Sequence, residues 1–151
     1  NGPFPTELLD EEGDRIRELG QEYGATTGRP RRCGWFDATI LRRARIVNGL
    51  TSLALTRLDI LDSLDRLKVC VGYQVEGDLI EEFPTDPRVL ERCEPVYEEI
   101  SGWCSPTTEV RIADELPAQA RKYVDRISEL IGVPINLISV GPARDATIER
   151  K

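Results

Sequence analysis

The sequence predicts an α/β fold in which helices flank a mostly parallel sheet that also carries a small antiparallel hairpin. Strand-like runs alternate with helical segments along the chain. The strand-like runs are rich in apolar residues, as in parallel strands covered on both faces. A break at Gly77-Asp78 between two such runs indicates the hairpin. The 151 residues suit one domain, and we expect a single domain over residues 1–151.

Two helices are predicted in the first third of the chain. Apolar residues recur at helical spacing from Leu8 to Gly24. Asp37 is a suitable N-cap for a second helix, which Gly49 ends after Asn48. The residues of this second helix expected to face inward are Ile40, Leu41, Ala44 and Val47.

Short strands and one short helix or turn are predicted in the middle of the chain. The run Leu50–Leu55 is consistent with a buried strand, and Asp62–Leu67 with a short helix or turn. Lys68–Val75 alternates as a strand does, and Leu79–Phe83 follows as a weaker strand. Val96-Tyr97 marks a further short strand.

The clearest helix is Pro117–Ile131. Proline suits its first position, and Gly132 with Pro134 ends it. Its apolar stripe consists of Ala120, Val124, Ile127 and Ile131. The following run, Ile135–Val140, predicts a buried strand that ends at Gly141-Pro142.

Charge and composition exclude several classes of function. Acidic residues outnumber basic ones by 27 to 20, giving a net charge of −7, which argues against binding nucleic acid through its phosphates. No apolar run approaches the roughly 18 residues of a membrane helix, and the start lacks a signal-peptide pattern. We therefore expect neither nucleic-acid nor membrane partners.

The chain has no histidine, which removes histidine-dependent proton transfer from its own chemistry. Its four cysteines are widely spaced and form no C-x-x-C pair, so no metal site is predicted. Free, buried or partly buried thiols in a cytoplasmic protein are expected. The cysteines are Cys33, Cys70, Cys93 and Cys104.

A basic segment stands out in this acidic chain. It places two hydroxyls, one glycine and three guanidinium groups within eight residues. Guanidinium groups bind carboxylates and phosphates bidentately, and glycine lets a ligand approach the backbone. The segment fits a clamp for a small anion, and the alternative is a solvated basic loop. Its residues are Ala25, Thr26, Thr27, Gly28, Arg29, Pro30, Arg31 and Arg32.

Two motifs follow predicted strands. In Thr56-Arg57-Leu58-Asp59, a carboxylate can accept hydrogen bonds from the N1–H and exocyclic amine of guanine, and a cationic side chain can lie across a purine. Ser139, Val140 and Gly141 can offer backbone groups to the same base. Because ligands of such sheets bind at the carboxyl ends of strands, we expect these motifs to share a site. The alternative is that Asp59 caps a turn over residues 60–64 and Arg57 is solvated.

Taken together, these segments resemble the adenylosuccinate synthetase family over essentially the whole chain, in the family's order. The resemblance implies the C-terminal portion of that longer chain. The segments that carry it are Gly2–Glu7, Glu22–Arg29, Gly34–Asp37, Asn48–Leu50, Thr56–Asp62, Leu116-Pro117, Ala120–Tyr123 and Ile138–Pro142.

The resemblance implies a carbon–nitrogen ligase that joins L-aspartate to IMP with GTP and Mg²⁺ in AMP biosynthesis, through a 6-phosphoryl intermediate. Carried over, Ala25–Arg31 would bind aspartate, with Arg29 also touching IMP and Arg31 the GTP side. The guanine pocket would consist of Arg57, Leu58 and Asp59 with Ser139, Val140 and Gly141. A homo-oligomer is implied as well.

The chain departs from the family at two positions. Arginine at position 57 stands where the family usually has lysine, and Pro30 stands where it often has arginine. The family's glycine-rich phosphate loop, magnesium-binding aspartate and catalytic histidine are expected upstream, so no catalytic residue or magnesium ligand is assigned here.

The sequence therefore predicts that the isolated chain is inactive without the N-terminal portion and exposes surfaces that drive self-association. The alternative is a non-catalytic guanine-nucleotide-binding or regulatory module.

Overall fold

The structure, a computed structural model, describes residues 2–150. The prediction of one domain over residues 1–151 includes two terminal residues that lie outside this range. The helices are α1 (Glu11–Gly20), α2 (Ala38–Asn48), α3 (Pro87–Leu90) and α4 (Ala118–Ile131), with 3₁₀ turns at Leu58–Leu61 and Ala113–Glu115. The strands are β1 (Phe36–Asp37), β2 (Leu53–Leu55), β3 (Arg66–Val75), β4 (Asp78–Ile80), β5 (Glu94–Ser101), β6 (Ile135–Ser139) and β7 (Thr147–Glu149).

The strands form two mixed sheets. In the first, β3 pairs with β1 in parallel, with β4 antiparallel, and also with β5. In the second, β6 pairs with β2 in parallel and with β7 antiparallel. The α/β class and the hairpin, β3–β4, are confirmed. The mostly parallel sheet is corrected to mixed, because a tight turn at Glu76-Gly77 and a short loop before β7 return the chain in the opposite direction.

The chain divides into two compact units, each made of two segments. The first combines Asn1–Ile40 with Lys68–Glu98, and the second combines Leu41–Leu67 with Glu99–Lys151. Within the first, the aromatic ring of the fully buried Tyr73 lies edge-on to Phe83, with 6.5 Å between the ring centroids. The buried thiols Cys70 and Cys93 belong to the same apolar cluster.

Asp37 caps α2, as predicted. Its Oδ1 accepts hydrogen bonds from the Thr39 backbone N–H at 2.9 Å and the Thr39 hydroxyl at 2.6 Å. Its Oδ2 accepts from the Tyr73 hydroxyl. One carboxylate thus satisfies the start of the helix and ties it to β3.

In the second unit, α4 buries the predicted stripe. Its buried residues are Ala120, Tyr123, Val124, Ile127 and Ile131. Pro117 is the N-cap rather than the first helical residue, and Gly132 ends the helix in the left-handed region at φ 76°. Arg42 donates to the carbonyl oxygen of Leu130 at 2.9 Å. Arg45 donates to that of Ile131 at 2.7 Å, so arginines of α2 satisfy the last carbonyls of α4.

Several predicted details are wrong. In α2 the buried residues are Ala38 and Thr39, whereas Val47 is 63% exposed. The strand predicted at 50–55 shortens to β2, which is only half-buried because it lies at the edge of its sheet. Helix α1 ends at Gly20, because Gln21 adopts the left-handed conformation.

The predicted elements also differ from the observed ones in number and length. β5 is longer than the predicted pair Val96-Tyr97, and the turn expected over 62–67 lies earlier, over residues 58–61. The short β1, β7 and α3 were not predicted. Within residues 2–150, no helix has the length and apolar character needed to cross a membrane.

Candidate functional site

The two strand-end motifs lie side by side in the second unit. Strands β2 and β6 run parallel, with Leu55 opposite Ile138, so the residues that follow them emerge at the same edge of the sheet. The Arg57 backbone N–H donates to the Ser139 hydroxyl oxygen at 2.7 Å, which joins the two motifs directly. The structure thus brings together the residues that the sequence predicted would share a site.

Arg57 adopts a left-handed backbone conformation, with φ 60° and ψ 46°. A non-glycine residue there costs about 1–2 kcal/mol, so neighbouring interactions must hold it. The hydrogen bond to Ser139 is one of them. Sequence reasoning predicted a contribution from the backbone of Ser139 only. It missed the hydrogen bond accepted by the Ser139 hydroxyl, because that bond depends on the pairing of strands distant in sequence.

Asp59 lies inside the Leu58–Leu61 turn and directly follows Leu58, whose side chain is fully buried. Among residues 2–150, no side chain forms a capping hydrogen bond to this turn, so the alternative in which the Asp59 carboxylate is a cap is not supported. Oδ1 of Asp59 is buried and has no hydrogen-bond partner within the described part of the chain. A buried carboxylate oxygen left unpaired is costly, and one at a strand end is suited to a donor from outside.

Val140 and Gly141 contribute in different ways. The Val140 backbone N–H already donates to the Ala146 carbonyl at 2.9 Å, and its side chain is fully buried. Val140 therefore supports the site by packing rather than by offering its amide to a ligand. A side chain at Gly141 would contact Ala146, so glycine keeps this turn close to β7.

The basic segment forms a narrow, exposed loop in the first unit. Tyr23 and Pro30 form an antiparallel bridge at its base, and the Gly24 backbone N–H donates to the Arg29 carbonyl at 2.8 Å. Gly28 has φ 64°, which glycine adopts without steric cost. All of residues 25–31 are exposed, so the loop presents its hydroxyl and guanidinium groups to solvent.

The three arginines of the segment have different environments. Arg32 makes a bidentate pair with Glu7, at 2.8 and 2.5 Å, and its guanidinium lies 5.2 Å from the centre of the Phe4 ring. This pairing lowers the pKa of Glu7. Arg31 pairs with Glu22 at 3.0 Å. The Arg29 side chain makes no hydrogen bond or ion pair to the residues that the structure describes, so it is the one most available to a ligand.

The cysteines are free thiols, as predicted, but the prediction that all are buried or partly buried is wrong for Cys104. Cys33, Cys70 and Cys93 are buried, whereas Cys104 is exposed. Burial raises the pKa of Cys33 and of Cys93, which keeps these thiols protonated and unreactive. Over residues 2–150, histidine, cysteine and carboxylate side chains form no group of three or more suited to a metal ion.

Polar residues gathered where two parallel strands end are typical of α/β proteins that bind ligands at the carboxyl ends of their strands. A family model described as adenylosuccinate synthetase matches residues 1–148. The chain therefore belongs to the adenylosuccinate synthetase family.

Curated relatives and a solved structure agree with this family. The chain is 56% identical over 147 residues to an adenylosuccinate synthetase of Geobacillus kaustophilus, covering 97% of this chain and 34% of the relative. It is 57% identical over 148 residues to one of Heliobacterium modesticaldum, covering 98% and 35%. A structure of fully ligated adenylosuccinate synthetase from Plasmodium falciparum covers 100% of this chain and 37% of its own, with TM-score 0.96 and 41% identity. The chain thus spans about a third of the length of the relatives it matches.

The position of the chain within the family requires a correction. The alignments are assigned to the first third of the relatives, their N-terminal GTP-binding region. This assignment contradicts the prediction of a C-terminal portion that lacks an N-terminal partner, and that prediction is not retained. The prediction rests on resemblance to segments from the C-terminal part of the family and on the absence of a G-x-x-x-x-G-K sequence, and such short motifs are a weak guide to position. The chain itself contains no such sequence, so we assign it no phosphate loop.

Proposed function

We propose that the chain is part of a ligase that joins L-aspartate to IMP with hydrolysis of GTP in AMP biosynthesis. Membership of the adenylosuccinate synthetase family supports this reaction. Mg²⁺, a homo-oligomeric state and a cytoplasmic location are proposed for the whole enzyme on the same ground. No residue of this chain is proposed to hold the metal ion or to be catalytic.

The guanine base of GTP is proposed to bind at the strand-end site. The observation that carries this proposal is the buried, unpaired Oδ1 of Asp59. A guanine presents two adjacent donors, N1–H and the exocyclic amine, to one carboxylate, whereas adenine presents an unprotonated N1. The long side chain of Arg57 is suited to lie against the purine face. Leu58, Ser139, Val140 and Gly141 form the rest of the pocket.

The exposed loop Ala25–Arg31 is proposed to bind L-aspartate. Thr26 and Thr27 supply hydroxyl groups, and Arg29 and Arg31 supply positive charge for the two carboxylates. Arg29 is also proposed to touch IMP, and Arg31 the GTP side. Pro30 fixes one backbone angle between the two arginines, and Gly28 allows the turn that presents them.

The test is calorimetric titration of the purified protein with Mg–GTP and with Mg–ATP. We expect selective binding of GTP, and Asp59→Asn to weaken it by about 10- to 100-fold, because a charge-assisted hydrogen bond contributes about 1.5–3 kcal/mol. Asp65→Asn is the matched control, since Asp65 is exposed and its side chain has no partner among the described residues.

Equal binding of GTP and ATP, or unchanged GTP binding by Asp59→Asn, would refute the guanine site. The alternative, a non-catalytic guanine-nucleotide-binding module, would be favoured if the chain binds GTP selectively but forms no adenylosuccinate from IMP and aspartate even when mixed with the remaining part of a family enzyme.

A further inference from the structure

Asp62 ends the 3₁₀ turn that contains Asp59, and its carboxylate is fully engaged. Oδ1 accepts hydrogen bonds from the Trp103 indole N–H at 2.7 Å and from the Thr107 hydroxyl at 2.8 Å. Oδ2 accepts from the Thr107 backbone N–H at 2.6 Å. Trp103 is 7% exposed and Thr107 is fully buried, so these bonds form away from bulk water. We call these three residues the Asp62 cluster.

Backbone contacts reinforce the Asp62 cluster. The Gly102 N–H donates to the Asp65 carbonyl at 2.8 Å, and a side chain at Gly102 would collide with the Leu64 carbonyl oxygen. The segment 102–107 therefore packs closely against the segment that follows Asp59. On its other side, the Trp103 ring packs on Tyr123 of α4, with 5.9 Å between the ring centroids.

Asp59 itself has no comparable support. Its Oδ1 lacks a partner in the described chain, so the position of its carboxylate depends on the backbone of the turn. In a 3₁₀ helix, residues i and i+3 lie one turn apart on the same side. Asp62 is three residues after Asp59, and its backbone N–H donates to the Asp59 carbonyl at 3.1 Å. Fixing Asp62 therefore fixes the turn that carries Asp59.

We propose that Asp62 is a positioning residue, which holds the Asp59 carboxylate in place for the guanine base through its bonds to Trp103 and Thr107. This inference rests on the proposed guanine site. Asp62 does not touch the nucleotide, and its effect on selectivity acts through Asp59.

The test compares binding of GTP and ITP by calorimetry, because ITP lacks the exocyclic amine but keeps the rest of the base. In Asp62→Asn, the amide that replaces one oxygen meets a donor of Trp103 or Thr107, so the cluster loses at least one bond. We expect the affinity for GTP to fall about five- to tenfold. The ratio of GTP affinity to ITP affinity should become smaller. A purely structural residue would lower both affinities by the same factor.

Two further measurements keep the inference falsifiable if Asp62→Asn folds poorly. Trp103→Phe removes the indole donor and keeps an aromatic ring on the side of Tyr123. We expect this variant also to reduce the ratio of GTP affinity to ITP affinity. In an Asp59→Asn background, adding Asp62→Asn should change GTP affinity no further, since both act through one carboxylate. Asp65→Asn again serves as the control, because it removes the same negative charge at an exposed position.

The outcomes separate the two proposals. If Asp59→Asn leaves GTP binding unchanged, the guanine site itself is refuted. If Asp59→Asn weakens binding but Asp62→Asn and Trp103→Phe keep the full preference for GTP over ITP, the guanine site stands and the positioning role of Asp62 is overturned.

Discussion

At the scale of single residues, the basic segment shows what a sequence can and cannot distinguish. Composition identifies three guanidinium groups in a short stretch, but Arg29, Arg31 and Arg32 have different partners in the fold. Arg32 pairs with Glu7, which lies 25 positions earlier in the chain, and no local sequence pattern predicts that pair. The unpaired Oδ1 of Asp59 is equally invisible in the sequence, because burial without a partner is a property of the surroundings.

Replacing Arg29 and replacing Arg32 should have different effects, the first on substrate binding and the second on stability. Arg32→Ala should lower the midpoint urea concentration of unfolding, since it removes a bidentate pair and a contact with the Phe4 ring. Arg29→Ala should change stability by less than about 0.5 kcal/mol but raise the KM for L-aspartate in the active enzyme. Urea unfolding and initial-rate kinetics of both variants check this. A stability loss in Arg29→Ala equal to that in Arg32→Ala would contradict it.

At the scale of elements, the capping residues of α2 and α4 were predicted from the sequence, whereas the buried face of α2 was not. Capping depends on a few adjacent residues, so Asp37 and Gly132 were recognised at the correct ends of α2 and α4. The buried face of α2 depends on which neighbours cover it, and Val47 is exposed despite its apolar side chain. The edge position of β2 likewise depends on the pairing of distant strands.

Gly132 and Gly49 allow a matched test at the ends of α4 and α2. Both adopt positive φ, 76° and 60°, so alanine strains the backbone at either position. A side chain at position 49 meets open space, whereas one at 132 meets the Arg45 guanidinium that satisfies the end of α4. We expect Gly49→Ala to cost about 1 kcal/mol and Gly132→Ala measurably more, by urea unfolding. Equal losses would show that the Arg45 contact contributes nothing.

At the scale of the whole molecule, the α/β class was predictable from the alternation of patterns, but the division into two compact units was not. Each unit combines segments that are distant in sequence, and α2, β3 and β5 each contain residues of both. A pattern along the chain reports neighbours in sequence, so it does not reveal such an arrangement. The separation of the strands into two sheets was missed for the same reason.

Because three tyrosines are buried or half-buried, we expect the free energy of unfolding to decrease at alkaline pH. Burial raises the pKa of Tyr97 to about 12, and burial also raises the pKa of Tyr73 and of Tyr123 above the ordinary value of 10. The folded state therefore holds these protons more tightly than the unfolded chain does. Their contribution is fully present below pH 10 and is lost as the pH rises above it. The free energy of unfolding, measured by urea titration from pH 8 to 11, should fall above pH 10, and a flat profile would contradict this.

The exposure of Cys104 has a practical consequence for spectroscopy. It is the one exposed thiol among the four, and it directly follows Trp103. A maleimide dye added to the native protein should therefore attach at a single position, beside an indole that can quench it. The labelled protein would report by its fluorescence whether the segment around Trp103 moves when a nucleotide is added, without introducing any substitution into the chain.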